Sequence, residues 1–172
     1  MKTLVLDVFY EHGEPFDRAR AAAVLFDGNG CELANYQTDI DAVAPYQSGK
    51  FYLRELPCLL AVLAQVNQGF DQIAIDGFVY LDDEGSEGLG AHLHRSLNGR
   101  YPVIGIAKKP FRDMGETYRV YRGQSRKPLY VTAVGTDLAE AKQWVRGLSG
   151  KGRIPEMLAR ADRLSRQVGA CP

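Results

Sequence analysis

Three carboxylates, Asp7, Glu55 and Asp76, stand in contexts that a folded chain can bring to one point. Asp7 ends the apolar run Thr3-Leu4-Val5-Leu6, Asp76 ends Ile73-Ala74-Ile75, and Glu55 lies early in a helix-like segment between them. Strand ends lying side by side in a sheet, with a helix end nearby, bring such acids together. Clustered acids repel one another unless a cation joins them, and hard divalent ions such as Mg²⁺ favour oxygen ligands. Taken singly, each acid has a plainer reading: Asp7 a strand-end turn residue, Asp76 an Asx turn with Gly77, and Glu55 an exposed helical acid paired with Arg54 or Lys50. Brought to one point, the three would instead suit a cation cluster.

The elements needed to position them are legible. Thr3 to Phe9 reads as a strand; Arg20 to Phe26 and Cys31 to Gln37 flank Asp27-Gly28-Asn29-Gly30, a hairpin signal that tolerates positive φ. An antiparallel meander of three strands follows. Residues 50 to 67 have helical periodicity, with Leu53, Leu56, Leu60 and Leu63 as the apolar stripe, Pro57 in the first turns and Gly69 closing the segment. Ile73 to Ile75 is a buried strand. Ser86 is placed to cap a helix bearing Leu89, Leu93 and Leu97, and Tyr101 to Ala107 is a fifth strand. Alternating strands and helices predict a parallel portion of the sheet with crossovers. Residues 110 to 128 read as a loop or ribbon and Leu129 to Thr132 as a last short strand. Asp137 caps a helix from Leu138, and Pro155 opens a final amphipathic helix with Leu158, Ala161, Leu164 and Val168.

At 172 residues the chain predicts one α/β domain spanning 1–172 with a sizeable core. No apolar run approaches a membrane span, which predicts a cytoplasmic protein, monomeric and away from membranes. The cysteines, Cys31, Cys58 and Cys171, lack metal-ligand spacing and read as reduced thiols, two of them packed. Net charge is zero but segregated. Residues 1–99 hold 6 Lys/Arg against 15 Asp/Glu, and residues 100–172 hold 15 against 6. An acidic half suits a cation cluster, and a basic half suits phosphate backbones, with Arg119, Arg122 and Lys127 as candidate contacts. Solvated faces, or halves that pair with each other, account for the charge equally well.

Around the acids the local patterns are specific. Tyr10 follows Asp7 by three residues; Pro45-Tyr46-Gln47-Ser48-Gly49 leads into Arg54-Glu55-Leu56-Pro57; Asp76-Gly77 ends a strand, and so does Gly105-Ile106-Ala107-Lys108. In this order and spacing the chain resembles the endonuclease V family, which has a ribonuclease H-like fold. The resemblance runs from residue 3 to residue 168, including the closing segment Arg153-Ile154-Pro155-Glu156 through Ala161-Asp162-Arg163-Leu164. It implies that Asp7, Glu55 and Asp76 hold Mg²⁺ or Mn²⁺, that Lys108 meets the scissile phosphate, and that Tyr46 is a strand-separating wedge in a loop with Gly49. Gly77 then lies against the nucleic acid. The implied activity is cleavage of DNA or structured RNA near a deaminated purine such as deoxyinosine.

Two segments depart from the family pattern. After Gly77 the family continues with glycine and His-Pro-Arg, in a loop that helps enclose a flipped hypoxanthine; here the residues are Phe78-Val79-Tyr80-Leu81-Asp82-Asp83-Glu84. Near the end the family has Ser/Thr-x-Gly-His, and here Thr132-Ala133-Val134-Gly135 carries no histidine. Asp137 is a candidate replacement ligand, though its cap role is the simpler reading. His92 reads as packing or surface and Asp71 as a strand-start residue. Two functions result: a metal-dependent endonuclease, favoured by the intact acids, or a catalytically impaired relative that binds nucleic acid or a protein partner.

Overall fold

The antiparallel meander forms as expected. In the computed structural model, which describes residues 1–168, β1 (Thr3–Glu11), β2 (Arg18–Phe26) and β3 (Glu32–Ile40) pair in succession. The β2–β3 turn is held by Asp27, whose Oδ1 accepts from the amides of Asn29 and Cys31 at 2.9 Å each, while Gly30 takes φ +83°. The parallel portion follows. β4 (Gln72–Asp76) pairs with β1, and β5 (Val103–Ala107) pairs with β4. β6 (Arg119–Val120) and β7 (Leu129–Val134) close the far side, giving the order β3-β2-β1-β4-β5-β7-β6.

Strand alternation sends apolar residues to both faces of the sheet. Leu4, Leu6, Ile73, Ile75 and Val103 meet α1 (Tyr52–Leu63) and α2 (Leu89–Ser96) on one side. Val5, Ala74, Ile104 and Ile106 meet α3 (Leu138–Gly147) and α4 (Glu156–Arg166) on the other. Each fully buried leucine or isoleucine in these layers contributes on the order of 2 kcal/mol.

Three local expectations are corrected. The fully buried face of α1 is Arg54, Glu55, Cys58, Leu59 and Val62; of the leucine stripe, Leu56, Leu60 and Leu63 pack partly buried beside it and Leu53 is 41% exposed. Packing against β2 and α2 centres the buried face beside the stripe, on the side that turns Glu55 inward. α1 also ends at Leu63, before Gly69 is reached. α2 is preceded by Gly88 rather than capped by Ser86, because Tyr80 and Glu87 form a bridge that extends the preceding loop. Of the two described cysteines, Cys58 is buried and Cys31 exposed, so one is packed; Cys171 lies outside the described residues. Among the described residues no helix is long and apolar enough to cross a membrane.

Candidate active site

Parallel strands that end together give side chains from distant segments a common edge, which is where open α/β sheets usually bind ligands. β1 pairs with β4 up to Leu6↔Ile75, so the next residues, Asp7 and Asp76, lie abreast. β1 then continues to Glu11 against β2 alone, so Asp7 sits where parallel pairing stops rather than at the strand's end. One strand further, Lys108 follows β5 and donates from Nζ to Asp76 Oδ2 at 2.8 Å. Glu55 approaches from the first turn of α1 and is buried.

The segment after Asp76 is packed down hard. Gly77 takes φ +154°, and a Cβ at Gly105 would lie 2.6 Å from the Gly77 carbonyl oxygen and 2.9 Å from the Val79 amide nitrogen. The glycine of Gly-Ile-Ala-Lys is therefore required by close backbone approach. Val79 is fully buried, its amide donating to Thr132 Oγ1 at 2.8 Å, so it points into the core and not at a ligand.

Carboxyl groups are crowded and desolvated at this edge. Burial, then the charge of Asp76, push the Asp7 carboxyl up to about 6; Asp162 raises it further, against a hydrogen bond from Ser165 Oγ at 2.9 Å. Burial, then Asp7 and Asp76, hold Glu55 well above the ordinary carboxyl range. Neighbouring Arg54 lowers Glu55 but does not outweigh them. It donates to Asp17 at 3.0 Å and lies 4.2 Å from the Tyr10 ring centroid. Half-burial pulls the Lys108 ammonium down, but the hydrogen bond and charge of Asp76, with Asp162 and Asp7 behind it, leave it raised.

Asp162 is the acid that sequence reasoning missed. It lies on α4, where Ser165 bonds both Asp7 and the Asp162 carbonyl, and its charge acts on Asp7 and Lys108 alike. The available signal was an acid set among the buried positions Leu158, Ala161 and Leu164 of an amphipathic helix. Asp137, in contrast, caps α3 by accepting from the amides of Ala139 and Glu140. It follows β7, which is antiparallel to β5 and ends opposite Val103, so Asp137 lies at the other edge of the sheet and cannot join these acids. Among the described residues no three acids, imidazoles or thiols sit close enough to grip an ion as they stand; Lys108 holds Asp76 in an ion pair. The donor set itself, with Asp7 and Glu55 raised by burial and then by the charges of neighbouring carboxylates, is the kind that a hard divalent cation fits.

The family model of endonuclease V matches residues 3–122. The chain belongs to the endonuclease V family. It is 32% identical over 178 residues to the endonuclease V of Rhodospirillum centenum, covering 91% of this chain and 73% of that one. The crystal structure of the Streptomyces avermitilis endonuclease V matches with a TM-score of 0.82 at 31% identity, covering 96% of this chain and 80% of that one. The Bacillus subtilis endonuclease V structure matches in fold, with a TM-score of 0.83 at 20% identity and coverage of 95% and 78%. The mixed sheet flanked by helices is thus the ribonuclease H-like arrangement of this family.

Within the endonuclease V framework the remaining positions sort by exposure. Tyr46 is 63% exposed, its ring edge-on to Phe51 at 6.1 Å, in the loop that also carries Gly49 at φ +74°. His92 stacks on Tyr52 at 3.7 Å, and Asp71 accepts from the Lys2 amide at the start of β4, both as expected. Lys127 is exposed and precedes β7 at the carboxyl edge of β5; Arg119 pairs with Glu116 at 3.5 Å. Arg122 corrects the expectation of a phosphate contact. It is 5% exposed, and its guanidinium donates to the carbonyls of Leu148, Ser149, Gly150, Gly152 and Arg153, shaping the loop before α4. Arg122→Ala would strand those carbonyls, and denaturant unfolding is expected to show a loss of about 2–4 kcal/mol. A stability unchanged within about 0.5 kcal/mol would contradict the clamp.

Proposed function

We propose that this endonuclease V family member is a metal-dependent endonuclease that hydrolyses phosphodiester bonds in DNA or RNA. The observation that carries the reading is the crowding of Asp7, Glu55 and Asp76 at the carboxyl edge of β1 and β4, the first two raised by burial and by their neighbours' charge, with Lys108 paired to the third. Asp7, Glu55 and Asp76 would hold the ion, with Asp162 as a fourth oxygen donor. When bound, Mg²⁺ or Mn²⁺ supplies the positive charge and the acidified water that hydrolysis needs. Lys108 is placed to exchange Asp76 for a substrate phosphate and to offset charge on it as the bond breaks. Exposed Tyr46, on its Pro/Gly loop, suits a wedge that fills the gap left by a displaced base. Gly49 and Gly77 let backbone approach the strand closely.

Labelled DNA and RNA, single-stranded, mismatched or carrying deoxyinosine, would be incubated with Mg²⁺ or Mn²⁺. The resemblance makes the deaminated substrate the first to test. Cleavage of at least one substrate, abolished by chelator, is the expected result; binding without cleavage of any substrate with either ion would establish the impaired, binding-only alternative. Binding should weaken steeply with salt, and Lys127→Ala should lower the log–log slope by about 1.

A further inference from the structure

Lys108 is the first residue beyond β5, so the ladder that fixes the strand does not fix it. Pairing of β5 with β7 ends at Ala107↔Tyr130, and Pro128, across the gap, has no amide hydrogen with which to continue it. The carbonyls of Lys108 and Pro128 are left beyond the last pair. Among the described residues neither accepts from a backbone amide.

Arg153 bridges them. Its Nη2 donates to the Lys108 carbonyl and, at 2.9 Å, to the Pro128 carbonyl, which Nε also reaches at 3.3 Å. A guanidinium suits the task, because its rigid fork offers several donors in one plane, whereas an ammonium is a single head on a flexible stem. The guanidinium is itself well founded. Arg122 donates to the carbonyls of Gly152 and Arg153, and a Cβ at Gly123 would lie 2.4 Å from the Lys151 carbonyl oxygen, so the segment before Arg153 is packed close. Buried Pro155 and then α4 follow it. At the other end of Lys108, Nζ is held by Asp76 at 2.8 Å, an anchor the ammonium must leave to meet a phosphate. From then on its reach depends on where the main chain of residue 108 is held, and Arg153 holds it.

Resting on the nuclease reading above, we infer that Arg153 is a positioning residue for the cleavage step: it fixes the main chain of Lys108 at the carboxyl edge of the sheet, so that the ammonium exchanges Asp76 for the substrate phosphate about a stationary pivot. A clamp that served stability alone would be indifferent to the Lys108 side chain. Positioning, in contrast, affects the rate only while that ammonium is present.

The test is a double-mutant cycle on single-turnover cleavage in Mn²⁺, using the substrate that the native chain cleaves fastest and a temperature at which circular dichroism shows every variant folded. Arg153→Ala is expected to lower the rate about ten- to a hundredfold, the order that a small misplacement of a reacting group costs, and Lys108→Ala at least as much. The double variant should match Lys108→Ala alone within about threefold, because groups that act as a unit do not lose twice. Strand affinity of Arg153→Ala, by anisotropy in EDTA, should stay within about threefold of native, since the guanidinium is engaged by carbonyls and contributes no phosphate contact. Should Arg153→Ala not fold, Arg153→Lys keeps the charge without the fork and takes its place in the cycle, with a loss of about fivefold or more. A single variant as fast as the native chain, losses that multiply in the double variant, or an affinity that falls in step with the rate overturns the inference while leaving the nuclease reading standing. A native chain that cleaves no substrate with either ion overturns both.

Discussion

Asp76→Asn is expected to lower phosphodiester cleavage by roughly 10²–10³-fold, the range seen when one preorganised electrostatic partner of a reaction is removed. The substitution keeps the shape of the side chain at the end of β4, where Gly77 and the packed Gly105 contact define its approach. It removes one negative charge from the proposed ion site and the charged partner of Lys108. Nucleic-acid binding, measured by anisotropy in EDTA, should stay within about threefold, because one anionic side chain is lost and no phosphate contact with it. Single-turnover rates in Mn²⁺ check the prediction. A variant that cleaves as fast as the native chain would place the activity elsewhere.

Asp7→Asn is expected to stabilise the metal-free protein, by up to about 3 kcal/mol at pH 8. The Asp7 carboxyl is raised from 3.8 to about 6 in the folded chain, chiefly by burial and then by Asp76. Between those values the folded state binds more protons than the unfolded one, so unfolding free energy falls as pH rises, and the penalty is complete above about 6. Asparagine carries no such penalty and can still accept from Ser165. At pH 4 the two proteins should therefore be nearly equal in stability, and at pH 8 the variant should melt roughly 4–10 °C higher. Adding Mn²⁺ should reverse the ranking, since an ion that binds only the folded state stabilises it by mass action, and the variant has lost a ligand. Thermal melts at the two pH values, with EDTA and with Mn²⁺, give all four readings. A variant no more stable than the native chain at pH 8 in EDTA would show that burial and the Asp76 charge do not penalise the ionised Asp7.

Much of this arrangement was already written in the chain. Apolar runs ending in Asp7 and Asp76, with a helical segment between them, allowed both acids to meet at one sheet edge, and the parallel pairing of β1 with β4 brings them abreast. The hairpin at Asp27–Gly30 and the cap at Asp137 are local requirements of turn and helix end, and local requirements survive folding unchanged. What only the tertiary structure decided is which of several equivalent surfaces is buried. Leucine periodicity put Leu56, Leu60 and Leu63 toward the core, yet packing centred the buried face beside them, on the side that carries Glu55 inward. Arg122 stood in sequence among solvated arginines, and only the approach of the 148–153 loop, with five carbonyls in need of donors, turned it from a phosphate contact into a clamp. Asp162 and Asp137 are both acids of late helices. The antiparallel run of β7 carried one to the far edge, while α4, packing back across β1 and β2, returned the other to Asp7. Element type follows from period and from turn chemistry within a few residues; the meeting of two distant side chains follows from the direction of strands and helices laid down more than a hundred residues apart.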